Sequence, residues 1–479
     1  GRARSGPGDH LLGRWMRAPA PPDVVRSRQD AARALAPALD WRQALAAAAW
    51  RTRSMRPHEL ERFLAWGEAE PWLRRRAWLY LLAAGLSIAT IVLVALHAIG
   101  VVQGGWAAAM AAAVVLSLAV QRPLAGTLEA ASWEVALRGW RELAARVEHA
   151  PGHARSPRLA DLRAPIAGDQ QRPSAAGALD RLERILGFAS VRHTPILHWP
   201  LQALTLWDFH VWWTLEGWQR RHGRHVRGWM DAIAEVEALS ALAGLAHDHP
   251  AWAWPVVSPD EDRLTATGLT HPLLAPERAV GNDIGVGPPG RVLLVTGSNM
   301  SGKSTLLRAI GLNAVLAQMG APVAARRLGM PPLAVVTSMR LQDSLEDGVS
   351  FFMASLARLR LVVDRARLAS ADPSQPMALY LLDELLGGTN TAEREVAVRG
   401  VVRHLVACRA IGALTSHDLA LAEAPELRAH GECVHFRESL GAGADAGAAM
   451  TFDYRLRPGV ATSRNALALM RAVGLGDLV

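Results

Sequence analysis

Apolar and polar positions follow two different textures along this chain, and the change falls near Leu264. Before it, apolar residues recur mostly at helical spacing; after it, short apolar runs alternate with helical stretches. Residues 1–30 are rich in Gly, Pro and Arg and predict a poorly ordered tail. Asp30 to Trp66 sets Ala, Leu and Trp among arginines and predicts one or two amphipathic helices. Residues 124–149 predict another, and the Pro- and Gly-rich stretch 151–176 predicts a connection. From Leu179 to Leu245 the spacing is helical again and dense in tryptophan (Trp199, Trp207, Trp212, Trp213, Trp218, Trp229). Beyond Leu264, the runs Val292–Thr296, Leu333–Ser338, Met377–Leu382 and Ile411–Ser416 predict the strands of an α/β domain. The pattern divides the chain into 1–72 (tail and amphipathic helices), 73–122 (an apolar hairpin), 123–262 (a helical core) and 263–479 (the α/β domain).

The hairpin stands apart from the amphipathic helices. After Arg74-Arg-Arg76, residues Ala77 to Ile99 carry no charge with His97 neutral. At ~1.5 Å per residue they make roughly 35 Å of helix, enough to cross a ~30 Å hydrocarbon core with some tilt. Trp106 to Val120 is a second uncharged run, reached through Gln103-Gly-Gly105 and closed by Gln121-Arg122-Pro123. Counted from Val101 it reaches about 20 residues, the length of a span, although its alanines make it less apolar. Arginines flank the outer ends and the connecting loop has none. The positive-inside rule then predicts a two-pass anchor over residues 77–121 in the inner, cytoplasmic membrane, with both termini and the α/β domain in the cytoplasm. The alternative is a buried helical hairpin in a soluble protein.

Composition changes this picture little. A chain of 479 residues with 50% hydrophobic content has room for about three domains. No cleavable signal peptide is visible at its start. Cys408 and Cys433 form neither a disulfide framework nor a zinc spacing, which predicts a reducing compartment. A formal charge of +8 and a pI near 10.6 favour an acidic partner, either nucleic acid or anionic lipid. Arg220-Arg-His-Gly-Arg-His-Val-Arg227 could touch a nucleic-acid backbone, but its spacing predicts the wet face of a long helix whose tryptophans pack inward. His247 and His249, beside Pro250, lack further ligands and predict a loop rather than a metal site.

The chemistry gathers in three places. Gly297 to Thr305 reads GSNMSGKST, a G-x-x-x-x-G-K-[ST] motif between a predicted strand and a predicted helix. Gly297 and Gly302 allow backbone N–H groups to close around a phosphate chain at the positive end of the helix. Lys303 suits the β- and γ-phosphates, and Ser304 suits Mg²⁺. Lys303 is also the chain's only lysine: 51 of its 52 basic residues are arginine. A compact ammonium is retained where a bulkier guanidinium would not fit a phosphate cradle. Second, Met377-Ala-Leu-Tyr-Leu-Leu ends in Asp383-Glu384. Asp383 suits the metal shell and Glu384 suits polarising an attacking water. Third, the strand Ile411–Ser416 delivers His417 to the end where a γ-phosphate would be sensed.

TGSNMSGKST, LLDELLGGTNTAERE and LTSHD resemble the motifs of the MutS family of ATPases, over about Thr270 to Gly474, with His271-Pro272 before and Phe452 to Gly459 near the end. The resemblance implies an α/β P-loop NTPase of the ABC/MutS type and ATP with Mg²⁺. It implies nucleotide contacts from Gly297, Ser298, Asn299, Met300, Ser301, Gly302, Lys303, Ser304 and Thr305. Catalytic roles would fall to Glu384, His417 and Asn299, metal binding to Ser304 and Asp383, and an apolar contact on adenine to Val280. It further implies a homodimer with two composite sites, in which Ser350 reaches the partner's ATP and Thr389 and Asn390 lie at the dimer contact. DNA, whether duplex, mismatched or branched, is the implied partner, and mismatch repair or ATP-dependent DNA damage sensing the implied setting.

This chain departs from the family pattern in several respects. Ser355 stands where a Glu commonly follows the Phe-Met segment, and there is no Phe-x-Glu wedge in the N-terminal region. The stretch before the α/β domain is too short for a mismatch-reading domain and a full clamp. With its hairpin, the chain resembles a shortened, membrane-anchored bacterial branch of the family, in which residues ~180–260 would be remnant lever helices. The competing expectation is a membrane ATPase for transport or envelope remodelling without nucleic acid.

Overall fold

The computed structural model describes residues 3–121, 134–171, 173–298, 301–339, 351–385, 391–441 and 449–461. It divides into two compact units, one formed by Gly1–Leu12 with Arg33–Gly244, the other by Gly13–Ala32 with Leu245–Val479.

The first unit is helical. Its elements include α1 (Gly6–Arg17, in part), α2 (Pro22–Leu35, in part), α3 (Leu39–Arg51), α4 (Pro57–Glu68), α5 (Ala77–Ala98), α6 (Trp106–Ala119), α7 (Glu134–Glu148), α8 (Pro157–Ala167), α9 (Ala175–Ala189), α10 (Pro195–Thr205) and most of α11 (Trp207–Asp248). The 42-residue α11 carries Phe209, Trp212, Leu215, Trp218, Val226, Trp229 and Ile233 on its buried side, the i, i+3, i+4 spacing that puts side chains on one face. Trp218 stacks on Trp66 at 5.9 Å and gives its indole N–H to the Ala178 carbonyl, and Trp212 stacks on Trp72 at 5.3 Å. Large aromatic bodies therefore supply the core while some polar tips find acceptors. Where α4 crosses α11, Gly67 faces Gly223 so closely that a Cβ on Gly223 would lie 2.0 Å from the Gly67 carbonyl oxygen. Only a missing side chain permits that approach.

The basic cluster on α11 is mostly wet, as its spacing predicts: Arg220, Arg221 and Arg224 are exposed, and Arg227 pairs with Glu68 at 2.6 Å. Of the six tryptophans between Leu179 and Leu245, Trp199 alone is exposed, standing on α10.

Two expectations for the N-terminal half need correction. From residue 3 onward the stretch expected as a loose tail is ordered: α1 and α2 form there, and Val25, Ala31 and Ala32 are buried. Pro22 stands at the first position of α2, where its missing N–H costs nothing, so proline marks a helix start rather than a break. The connection 151–176 likewise contains α8. Ser156 caps it by accepting from the Leu159 amide, Pro157 opens it, and Leu159, Leu162 and Ile166 are buried.

The apolar hairpin forms as two helices, α5 packed against α6. Among the described residues one helix, Arg74–Ala98, is long and apolar enough to cross a membrane, and only 22% of its most apolar window is buried. The second helix is shorter than its apolar run, since α6 begins at Trp106 after a turn through Gly104 and Gly105, both at positive φ.

The second unit is built on a six-stranded sheet ordered β10-β9-β4-β8-β7-β6, alongside a four-stranded sheet ordered β1-β5-β2-β3. The strands are β1 (Val256–Val257), β2 (Leu264–Leu269), β3 (Asn282–Val286), β4 (Val292–Thr296), β5 (Arg327–Met330), β6 (Leu333–Ser338), β7 (Met377–Asp383), β8 (Ile411–Ser416), β9 (Gly431–Gly441) and β10 (Ala449–Pro458). The larger sheet is parallel from β9 to β6, with β10 antiparallel on its edge. Among the described residues its helices include α12 (Lys303–Met319), α13 (Phe351–Ala371), α14 (Thr391–Ala407) and α15 (Pro425–His430). Alternate residues of β4, β7 and β8 face opposite ways. Leu293, Val295, Leu379 and Leu381 join Leu307 and Ile310 of α12, while Val292, Leu294, Tyr380 and Leu382 join Val362 of α13 and Val402 of α14. A sheet covered on both faces needs strands apolar at nearly every position, which is why these read as continuous apolar runs. Residues 13–32 belong to this unit too. Val25 enters its core, and the Gln29 amide donates to the Pro255 carbonyl at 2.9 Å.

Candidate functional site

The site lies at the carboxyl ends of β4, β8 and β7, which are neighbours in register. Thr296 pairs with Ser416, and Asp383 with Thr415. Ligands of open parallel sheets bind at this edge because the strand-to-helix turns leave backbone N–H groups there. Gly297 leaves β4 at φ 144° and Gly302 enters α12 at φ 105°, conformations that favour glycine.

Lys303 is buried at the start of α12. Its ammonium donates to the carbonyls of Gly297 at 2.9 Å and Ser298 at 2.7 Å, so the loop wraps its own cation. Ser301 is buried with a hydroxyl that finds no hydrogen-bond partner among the described residues. Ser304 stands half-buried in the first turn of α12 and Thr305 is exposed. A buried ammonium at a helix N-terminus, beside a buried hydroxyl without a partner among the described residues, fits a triphosphate.

The acids and the histidine converge on the same edge. The Thr415 hydroxyl donates to Asp383 Oδ1 at 2.7 Å and accepts from the Glu384 amide at 3.1 Å, so one residue of β8 fixes both acids at the end of β7. Glu384 has φ 46°, a left-handed backbone that a non-glycine residue adopts only where its surroundings hold it. Its carboxylate Oε1 lies 3.5 Å from His417 Nδ1, and both side chains are partly exposed. Asp383 presents a hard oxygen donor at the end of β7, on the same sheet edge as the loop that leads to Ser304, and hard oxygen donors of this kind suit Mg²⁺.

Tyr454, which sequence reasoning left without a role, completes the rim. A Cβ on Gly302 would sit 3.2 Å from Tyr454 Cδ1, so the ring lies against the P-loop. Tyr454 has φ 52° at an irregularity of β10, and its ring stacks with Phe452 at 5.9 Å. Asn282 holds this bulge in place. Its amide donates to the Tyr454 carbonyl at 3.0 Å, and its oxygen accepts from the Leu456 amide at 2.7 Å. The same amide lies 3.4 Å from the carbonyl of Val280, which brings the half-buried Val280 segment to the Tyr454 side of the loop. The signal was present in Phe452-Asp-Tyr454, but an aromatic in a strand usually packs in a core.

Asn299, Met300, Ser350, Thr389 and Asn390 lie outside the described residues. Ser355 is buried on α13. Among the described residues no group of His, Cys, Asp and Glu could hold a metal without a ligand's help, and His249 stacks on Trp252 at 4.2 Å.

A Gly-rich turn between a central parallel strand and a helix, with a buried lysine and an Asp-Glu pair on a neighbouring strand, defines a P-loop NTPase-type α/β domain. Residues 293–479 match the family model described as MutS domain V. The C-terminal part of the chain thus carries a MutS domain V, shared with MutS and MSH proteins. The chain is similar to the DNA mismatch repair protein MSH6 of Arabidopsis thaliana, 30% identical over 54% of this chain and 21% of that protein. It is similar to the DNA mismatch repair protein MutS of Natronomonas pharaonis, at 29% over 52% of this chain and 28% of that protein. The MutS protein of Thermotoga maritima is 28% identical over 53% of this chain and 31% of its own length. The chain thus matches about a fifth to a third of the length of these relatives.

Proposed function

We propose that this chain is a membrane-tethered, MutS-like ATPase that binds and hydrolyses ATP with Mg²⁺ in a dimeric composite site and couples that cycle to DNA. The observation that carries the catalytic part is the convergence of Lys303, Asp383, Glu384 and His417 on one edge of adjacent strands, with Thr415 holding both acids.

The loop from Gly297 to Thr305 wraps the phosphates with its amides, and Lys303 exchanges the loop carbonyls it now holds for phosphate oxygens. Ser304 and Asp383 would hold a magnesium ion, which would supply charge neutralisation for the phosphates. Glu384 orients a water for in-line attack and takes up its proton, while His417 reports the γ-phosphate through its contact with Glu384. Tyr454 offers a partly exposed ring at the rim for the base, with Val280 on the neighbouring segment. Asn299 contributes from the loop. Ser350, Thr389 and Asn390 belong to the contact with a second copy, where Ser350 reaches the partner site.

Tethering is supported by α5, long, apolar and little buried, and by Arg74-Arg-Arg76 at its start. Both termini and the ATPase domain then lie on the cytoplasmic side. DNA is supported by the named activity of the relatives and by the basic balance of the chain. A second reading, a membrane ATPase for transport or envelope remodelling without nucleic acid, is favoured by α5 itself, an element alien to a soluble repair enzyme. The two separate in one experiment on the detergent-solubilised chain, with ATP turnover and binding measured against duplex, mismatched and branched DNA. Salt-sensitive binding that alters turnover supports the first. ATP hydrolysis indifferent to every DNA form supports the second.

A further inference from the structure

We infer that α10 and the start of α11 form a re-entrant helical turn that dips about half way into the lipid bilayer beside α5 and α6, a third membrane-embedded element alongside the anchor. The inference rests on the membrane reading of α5.

The depth follows from the contacts made along α5. At its start, Glu216 of α11 accepts from the backbone amides of Leu73 and Arg74 at 2.8 and 2.7 Å, and the Arg74 guanidinium lies over Trp213 at 4.4 Å. Nearly two turns further, Tyr80 stacks on Trp213 at 4.2 Å and its hydroxyl meets His210 at 3.2 Å. Further still, the Ser87 hydroxyl donates to the Thr205 carbonyl at 2.8 Å. Ser87 lies about 15 Å of helix beyond Ala77, roughly half of a ~30 Å hydrocarbon core. As α5 descends, α11 is thus followed backwards from Glu216 to its first turn, and the deepest contact meets the end of α10. There Leu206, at φ 49°, breaks the chain between the two helices.

Chemistry agrees with depth. From Thr194 to Trp207 no residue carries a charge except where His198 is protonated. The outward side chains of α10 are apolar: Ile196 is 91% exposed, Leu197 52% and Trp199 72%. Its polar groups turn inward and are bonded. Gln202 gives its amide to Ser117 of α6 at 3.3 Å and accepts from the Asp208 amide at 3.0 Å, and the Thr205 hydroxyl donates to Leu201 at 2.6 Å. Asp208, the acid nearest the break, is buried and meets His198 at 3.0 Å and Arg192 at 3.9 Å. Apolar atoms outside and bonded polar atoms inside suit lipid and would be costly in water. The exposed Arg192 and His193, just before α10, suit the headgroup layer.

The test uses the full chain with Cys408 and Cys433 replaced by serine and one cysteine introduced at a time, labelled with the environment-sensitive fluorophore NBD. Ile196→Cys probes α10, Ile88→Cys probes α5, and Arg184→Cys is the water-facing control. Each protein is reconstituted in vesicles of phosphatidylcholine and phosphatidylglycerol carrying acyl-chain spin-labelled lipid, or exposed to aqueous iodide. The expected result is quenching by the lipid label at both Ile196→Cys and Ile88→Cys, with iodide effective only at Arg184→Cys. Lipid quenching at Ile88→Cys with iodide quenching at Ile196→Cys overturns the re-entrant turn and leaves the anchor standing. No lipid quenching at either position overturns the membrane reading and this inference with it. Oxidative cross-linking of Ile196→Cys between copies, without lipid quenching, assigns the face to a second copy and also overturns it.

Discussion

Glu384 sits at a backbone angle that a glutamate does not choose freely, and the Thr415 hydroxyl both receives its amide and donates to Asp383. Strain held in this way is characteristic of groups whose aim matters more than their stability. Glu384→Gln keeps the shape and removes the carboxylate proposed as the base. It is expected to lower steady-state ATP hydrolysis by ~10²–10⁴-fold while nucleotide still binds, measured as phosphate release beside equilibrium binding of a fluorescent ATP analogue. Tyr454→Ala removes the ring beside Gly302 and is expected to weaken that binding by about fivefold, the worth of ~1 kcal/mol of aromatic contact. Unchanged affinity would remove Tyr454 from the base site. The sequence announced the lysine, the acids and the histidine because each follows a motif or an apolar run. It did not announce Thr415 or Asn282, which act through contacts made only when distant strands come together.

Among the elements, the strands legible beforehand were β4, β6, β7 and β8, whose apolar runs come from lying inside a covered parallel sheet. β2, β3 and β5 were not legible, since glycine and threonine interrupt their alternation and their partners are remote in sequence. α1 and α8 were hidden by the Gly and Pro residues around them, and α2 by prolines that turn out to stand at its start. Two predictions belong at this scale. Gly223→Ala places a Cβ against the Gly67 carbonyl and should destabilise the α4–α11 crossing by ~1–3 kcal/mol, read as a lower Tm of the solubilised protein. Glu426 clasps Arg403 of α14 at 2.5 Å and Arg399 at 3.0 Å. The Arg403 hydrogen bond first, then its own backbone amide and Arg399, hold its carboxyl down to about 2 from an ordinary 4.5. A depressed carboxylate stabilises the fold above its unfolded value and loses that contribution as pH falls from about 4.5 through about 2. The gap in urea midpoint between the native chain and Glu426→Gln should therefore be constant above pH 5 and close on acidification. A gap independent of pH would remove the charge from the α14–α15 contact.

For the whole molecule, the sequence carried both halves of the account, a P-loop domain and an apolar hairpin, because each is written in contiguous residues. It carried less about α10, whose apolar face and bonded polar groups are separated only in three dimensions. If the chain engages DNA through its arginines, the logarithm of the binding constant should fall linearly with the logarithm of salt concentration. Affinity indifferent to salt would remove the backbone contact. The most direct measurement is magnesium-dependent phosphate release by the full chain in lipid nanodiscs, comparing the native protein with Lys303→Ala and Glu384→Gln. The account predicts turnover by the native protein and its loss in both variants, with binding of ATP kept by Glu384→Gln and weakened by Lys303→Ala. No release by the native protein, or release untouched by either substitution, would contradict it.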